Sequence, residues 1–271
     1  MQPRIARTFF ALCAVALLVP AVAIAQAADD WKFTASLYGY LPSIGGKTAF
    51  PGSGGASSVT VDARTIIENL KFTFMGSIEA RRGPWGGLSD VLYVDMGDAK
   101  SGSRDLSIGN AGLPAGASAS VDLDVKGWVW TFGATYRAVS RPAYSLDVLG
   151  GARMLDLKQS MNWTLSGNVG PIPVVDRAGS RATDLQNWDL VLGVKGRAAF
   201  GAGKQWFVPY YLDIGTGESS FTWQAVTGLG YSFGWGDIVG AWRYIGYDMK
   251  SGKAVERLDF NGPGLAAVFR W

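Results

Sequence analysis

The chain has 271 residues, only 17% of them charged, with 37 glycines, 11 tryptophans and a formal net charge of +3. It contains no histidine and a single cysteine, Cys13. So small a charge gives no support for nucleic-acid binding. The missing histidine removes the usual general base of a serine nucleophile and the commonest metal ligand.

Residues 1–27 read as a signal peptide. Arg4 and Arg7 precede the apolar run TFFALCAVALLVPAVAIA, and Ala23-Ile24-Ala25 and Ala25-Gln26-Ala27 both fit a signal-peptidase site. Phe10-Ala11-Leu12 lacks the small residue expected just before a lipidated cysteine, so Cys13 belongs to the apolar core of the leader. Cleavage at Ala27 leaves one domain, residues 28–271, with a formal charge of +1 and no cysteine. Disulfides, thiol catalysis and Cys–metal sites disappear with it. No later segment reaches the roughly 18 continuous apolar residues of a membrane helix. An exported chain that is hydrophobic, glycine-rich and aromatic, yet has no such helix, fits the bacterial outer membrane.

Apolar residues then alternate with polar ones along the chain. In WKFTASLYGYL (31–41), Trp31, Phe33, Ala35, Leu37 and Gly39 oppose Lys32, Thr34, Ser36, Tyr38 and Tyr40. LKFTFMGSIEAR (70–81), NWDLVLGVKGRAAF (187–200) and FTWQAVTGLGYSF (221–233) repeat the pattern. Strands with one lipid-facing and one polar face have this period of two. Ten strands are expected, over 31–42, 70–81, 87–98, 121–139, 143–158, 187–200, 206–215, 220–233, 237–249 and 258–271. Each meets or nearly meets the roughly 9–11 residues needed to cross a bilayer at a tilt. RGPWG, SRPA, GAGKQ and GWGD make short connections after the even-numbered strands, and the first three odd-numbered strands are followed by long ones. The expected fold is therefore all-β: a closed antiparallel transmembrane β-barrel with about ten strands and both termini in the periplasm. The segment SVTVDARTIIENL (58–70) reads equally as a short outer helix or a further strand, which keeps eight and twelve strands open.

Some positions strain this reading. Asp90 and Asp95 in the third strand have opposite parity, so one faces the wrong way or a bulge resets the face. Asp122, Asp124 and Lys126 share a parity with Trp128, Trp130 and Phe132, which requires the first half of the fourth strand to project beyond the membrane. Pro209 and Pro263 fall within strands, where a bulge or a strand end must absorb the missing N–H.

The chain ends on GPGLAAVFRW, with Leu265, Ala267, Phe269 and Trp271 on one face. Trp271 would close the last strand at the periplasmic interface, where an amphipathic ring is favourable. The alternation into a final aromatic resembles the C-terminal signal by which outer-membrane barrels are recognised for assembly. From Leu212 onward, LDIGTGESSFTWQAVTGLGYSF, GAWRYIGYDM and LDFNGPGLAAVFRW resemble a proteobacterial family of outer-membrane β-barrel proteins of unassigned function, grouped with the small barrels of the outer-membrane protein A type. Asp213, Ile214 and Gly215 fit the family's turn, and Thr222, Trp223 and Gln224 fit the strand that follows. Trp242-Arg243-Tyr244 departs from the pattern with tryptophan where tyrosine is usual. The resemblance implies a fold and a location but no activity.

Catalytic motifs are absent from this pattern. Lys195 and Asp189 share a face but belong to no paired motif, and DLD (122–124) and GDAK (97–100) lack the spacing of a calcium loop. PGSGG (51–55) lacks the Lys-Ser/Thr of a phosphate loop. A non-enzymatic protein without cofactor or metal is expected. The inward face should carry Lys71, Glu79, Arg81, Asp147, Arg153, Asp189, Lys195, Arg197, Asp213, Arg243 and Arg270, seven bases and four acids. Three roles follow from it. A paired network would fill a narrow structural or loop-presenting barrel. An unpaired one would line a porin-like diffusion path for small solutes, preferentially anions. Adhesion or partner binding would use the long outer loops, of which SMNWTLSGNVGPIPVVDRAGSRATD (160–184) is apolar enough, at Trp163, Ile172, Val174 and Val175, to fold inward or meet a partner. The expected partners are outer-membrane lipids and, through the last strand, the barrel-assembly machinery. The protein is expected to be a monomer.

Overall fold

The computed structural model describes residues 30–48, 57–61, 70–101, 107–108, 111–112, 117–169, 172–253 and 255–271. Residues 1–27, where a signal peptide is expected, the loop PGSGG and residues 62–69 lie outside them. The strands in chain order are β1 (Lys32–Tyr40), β2 (Ser43–Thr48), β3 (Ser57–Val61), β4 (Leu70–Arg82), β5 (Trp85–Ser101), β6 (Ser107–Ile108), β7 (Ala111–Gly112), β8 (Ala117–Arg141), β9 (Tyr144–Val169), β10 (Ile172–Phe200), β11 (Trp206–Gly217), β12 (Ser219–Ser232), β13 (Asp237–Met249) and β14 (Val255–Arg270).

Ten of them form one antiparallel ring, in the order β1-β4-β5-β8-β9-β10-β11-β12-β13-β14, and β14 pairs back onto β1. Closure leaves the ring no open edge. The seam is tied at its end, where the Trp271 N–H donates to the Phe33 carbonyl at 3.1 Å and Phe33 N–H to the Trp271 carbonyl at 2.8 Å. Their rings stack with centroids 5.8 Å apart. The final tryptophan is therefore held in place by both its backbone and its ring.

Residues 58–61 add no strand to the ring of ten. They belong to β3, which among the described residues pairs with β2 as a hairpin above the ring, and β2 continues the line of β1 along β14. Four short connections, at residues 83–84, 142–143, 201–205 and 233–236, lie at the end that also carries both described termini. Gly201 in the third has φ +82°, a conformation that glycine adopts without strain.

The two prolines are absorbed by gaps in the ladder, not by bulges or strand ends. Pro209 stays in register with Arg197 of β10, while pairing to β12 lapses at residues 208–209. Pro263 pairs with Trp242 of β13, and its other side meets the break between β1 and β2, where the Leu41 N–H donates to the Pro263 carbonyl at 3.0 Å. In each case the missing N–H falls where no ladder bond is required.

Outward side chains form bands. Leu37, Ile78, Leu192, Leu212, Leu229 and Leu265 are exposed in an aliphatic belt. Toward the short turns lie the pairs Trp85–Tyr136, Tyr144–Tyr210, Trp206–Tyr231 and Trp235–Phe269. On the opposite side of the belt lie Tyr93–Trp128, Trp130–Phe132 and Trp223–Tyr244. An apolar belt between two aromatic girdles is the outer surface of a membrane-spanning barrel. Asp90 turns inward. Asp95 stays on the outward face, where Tyr93 Oη donates to it at 3.2 Å and Lys126 pairs with it, also at 3.2 Å.

The long connection at residues 160–184 is not a folded-in loop. β9 and β10 continue as a paired hairpin to Val169 and Ile172, and β8 joins them from Ala117. This three-stranded ladder, on strands of 25, 26 and 29 residues, runs well beyond the length that a bilayer requires. The backbone of Trp163, Ile172 and Val174 is committed to it, which removes the inward-folding option.

Leu192 is 63% exposed on the aliphatic belt. Leu192→Arg is expected to cost about 2–4 kcal/mol, the range for a cation at the lipid midplane. The inward Ser36→Asn, which adds no charge to the lumen, is expected to leave stability nearly unchanged. Thr73, another inward site, is a poorer control because it lies opposite Val94, which is buried in an apolar core. Urea unfolding in lipid vesicles measures both; equal tolerance at Leu192 and Ser36 would reverse the assignment of faces.

Candidate functional site: the filled lumen

The interior is layered. In the half remote from the short turns it is apolar: Met75, Leu92, Val129, Leu155, Ile245 and Phe260 belong to one buried cluster that also includes Tyr40, Tyr247 and Leu258. A uniformly polar inner face was the expectation, and this cluster corrects it. In a lumen too narrow for a water column, facing side chains touch one another, so apolar residues can face inward as well as outward.

Beneath the cluster lies a polar layer. Arg153 and Asp213 form an ion pair with both side chains 0% exposed. Arg153 also donates Nε–H to Thr131 Oγ1 at 3.1 Å, Nη1–H to Thr222 Oγ1 at 3.3 Å and Nη2–H to Gln224 Oε1 at 3.1 Å. Tyr211 Oη donates to Asp213 at 2.6 Å. Beside this pair, Arg243 Nη2–H donates to Asp90 Oδ1 at 2.7 Å. Arg243 Nη1–H donates to Tyr38 Oη at 2.8 Å, and that hydroxyl donates to Asp90 Oδ2 at 2.8 Å. Among the described residues no cation pairs with Asp189, which accepts Asn187 Nδ2–H at 2.7 Å and the Ser219 N–H at 2.8 Å. Asp90 and Asp189 each accept at least two donors, as charges removed from water require. Asp213 gathers Arg153 and Tyr211 on Oδ2, while its buried Oδ1 has no partner among the described residues.

Nearer the short turns, Lys195 of β10 bridges to Glu79 of β4 across the lumen. At the turn end, Asp147 takes both Arg81, at 2.6 Å, and Arg137. Asp237 takes Arg270 and, at 3.4 Å, Arg197. The Arg197 guanidinium lies 3.8 Å from the centroid of the Phe207 ring. Gly230 faces that ring so closely that any Cβ there would collide with it.

Ten of the eleven expected inward charges are therefore brought together in the lumen, and the side chain of Lys71 is outside the described residues. Arg153 compensates Asp213, whereas Asp147 takes Arg81 and Arg137. The expected excess of bases narrows to seven against six among the described inward residues. Asp90, Asp237 and Arg137 join the network, and because Asp147 and Asp237 each take two arginines, each of the seven described inward bases, Arg81, Arg137, Arg153, Lys195, Arg197, Arg243 and Arg270, has a carboxylate partner. A signal for Asp90 existed in its shared parity with Leu88 and Leu92. It was masked because β5 is apolar on both faces. Asp237 was read as part of the GWGD turn.

Between the polar layer and the turn end a cavity of about 270 Å³ remains. It is lined by Glu79, Lys195, Asp90, Arg243 and Tyr38 on one side and by Val226, Val239, Ala241, Ala266 and Val268 on the other.

No protein-family model matches the chain, and no curated protein matches it. Among solved structures it is similar to the outer membrane protease OmpT from Escherichia coli, with a TM-score of 0.54 and 10% identity over 90% of this chain and 97% of that one. It also aligns with the translocator domain of the autotransporter NalP from Neisseria meningitidis, with a TM-score of 0.34 and 14% identity over 89% and 88% of the two chains. Ail, the attachment invasion locus protein of Yersinia pestis, aligns with a TM-score of 0.30 and 11% identity over 90% and 99%. The first likeness shows a shared fold, that of an outer-membrane β-barrel, and nothing of activity.

Arg153→Ala is expected to destabilise the barrel by about 3–5 kcal/mol, because it strands Asp213 in a site without water access. Adding Asp213→Ala should recover a large part of that loss. Unfolding midpoints of the single and double variants in vesicles measure both steps. An additive double variant would mean that the two charges do not compensate each other.

Proposed function

We propose that the protein is an integral outer-membrane β-barrel that conducts no solute and holds a strand ladder outside the cell. In this reading the short turns and both termini face the periplasm, the aromatic girdles meet the two lipid interfaces, and the ladder of β8, β9 and β10 projects outward. One observation carries it: the fully buried Arg153–Asp213 layer and the apolar cluster above it together block the lumen. Ion passage would require breaking a pair shielded from water and parting side chains packed to near-zero exposure, and such cores resist both.

The role is non-enzymatic. A chain without histidine lacks the base that activates a serine, and in the polar layer each acid is held by partners instead of facing an open cleft. The ladder is the surface offered to the outside, which supports a structural or partner-presenting role. Outer-membrane lipids meet the aliphatic belt. Leu265, Ala267, Phe269 and Trp271 form the outward face of β14, the face that the assembly machinery would read. No symmetric contact is needed to complete the ring, so the working unit is a monomer.

Planar-bilayer recording of the refolded mature protein tests this. The current is expected to stay at the lipid baseline, and Arg153→Ala should lower stability without opening a steady conductance. Sustained anion-selective channels from the unsubstituted protein would replace this reading with that of a narrow pore.

A further inference from the structure

The lumen cavity is a pocket with one closed end. Above it, Arg153 and Asp213 are fully buried, whereas at the turn end the Arg270 side chain is 45% exposed and that of Arg197 30%. Within the cavity the side chains of Lys195 and Glu79 are 17% and 27% exposed, whereas the Arg153–Asp213 pair above them has no accessible surface. Its walls differ in chemistry. Strands β12, β13 and β14 present Val226, Val239, Ala241, Ala266 and Val268, an apolar sector bordered on β12 and β13 by Gln224 and Arg243. Of the two ion pairs at the cavity, Lys195–Glu79 is the more open, since Arg243 and Asp90 are only 8% and 21% exposed. A volume of about 270 Å³ lies just below the roughly 300 Å³ at which small-molecule sites begin, and above the apolar cavities of about 150 Å³ that take a single benzene ring.

We propose that this pocket binds a small zwitterion with an apolar body, an aromatic or branched amino acid in chemical class. Its ammonium would sit on Glu79, its carboxylate on Lys195, and its side chain against the wall of β12–β14. The pair selects against simpler ligands. A lone anion inserted into the bridge leaves Glu79 without a cation, and a lone cation leaves Lys195 without an acid. Either way an unpaired charge would remain in a confined site. A zwitterion replaces both halves of the bridge at once. Binding does not depend on whether the barrel conducts, so calorimetry and bilayer recording fail separately.

Three probes with related benzyl bodies separate the cases: L-phenylalanine, phenylacetate and phenethylamine. Each is titrated by calorimetry into the refolded mature protein in detergent, with protein-free micelles as the blank. Phenylalanine is expected to bind at least tenfold more tightly than either of the others. Glu79→Gln should weaken phenylalanine at least tenfold and shift the preference toward phenylacetate. Ala266→Phe, which fills the apolar wall, should abolish binding while the β-sheet circular dichroism stays unchanged. If none of the three binds the unsubstituted protein, the pocket holds water alone and the proposal is wrong. Equal binding of all three, or phenylalanine binding that survives both substitutions, overturns it as well.

Discussion

The return of β14 onto β1 is the constraint from which the rest of the molecule follows. Ten strands joined in a ring leave a lumen that side chains can bridge, and every inward position must therefore meet a partner from across the barrel. Lys195 of β10 reaches Glu79 of β4, and Arg243 of β13 reaches Asp90 of β5, each pair separated by several strands in the ring. Such pairs could not form in an open sheet. They brace the ring from within while the ladder bonds hold it around its circumference. The stacked seam of Phe33 and Trp271 completes the closure at the end of the chain.

Within that ring, charge and hydrocarbon divide the interior by depth. The acids near the turn end share cations: Asp147 takes two arginines and Asp237 takes two. In the middle, Arg153 makes four kinds of contact and has no exposed surface. Further on, Ile245, Leu155 and Phe260 belong to one buried hydrophobic cluster. A buried charge is tolerated where partners answer it, and here Thr131, Thr222 and Gln224 accept from Arg153 while Tyr211 donates to Asp213. The apolar layer has no such requirement, and it seals the lumen more simply.

The outward alternation made the strand ring legible in advance, because lipid imposes an apolar residue at every second position. Strands β1, β4 and β12 follow that rule, and their boundaries fall close to those expected; β10 follows it over 187–200 but begins earlier, at Ile172. The ladder beyond the belt was not legible as strand. Outside lipid nothing forces alternate residues to be apolar, so 160–184 carries no period of two although most of its described backbone is paired, with one irregularity between Val174 and Arg177. The inner apolar cluster was hidden for a related reason: β5 is apolar on both faces, and its sequence does not say which of Leu92 and Val91 looks inward.

By itself, the sequence determined that the outer surface is apolar, that its strands are joined by short turns at one end, and that the chain carries no histidine and a single cysteine, Cys13. These are local properties, readable from period, spacing and composition. Only the tertiary structure decided which charge answers which, that Arg153 belongs to Asp213, and that Asp237 collects both Arg197 and Arg270. Partners across a lumen are distant in the chain and are set by the register and stagger of the closed ring, for which no stretch of sequence carries a local mark. The cavity beside Glu79 and Lys195 belongs to the same category, because it is the space left after those partners have met.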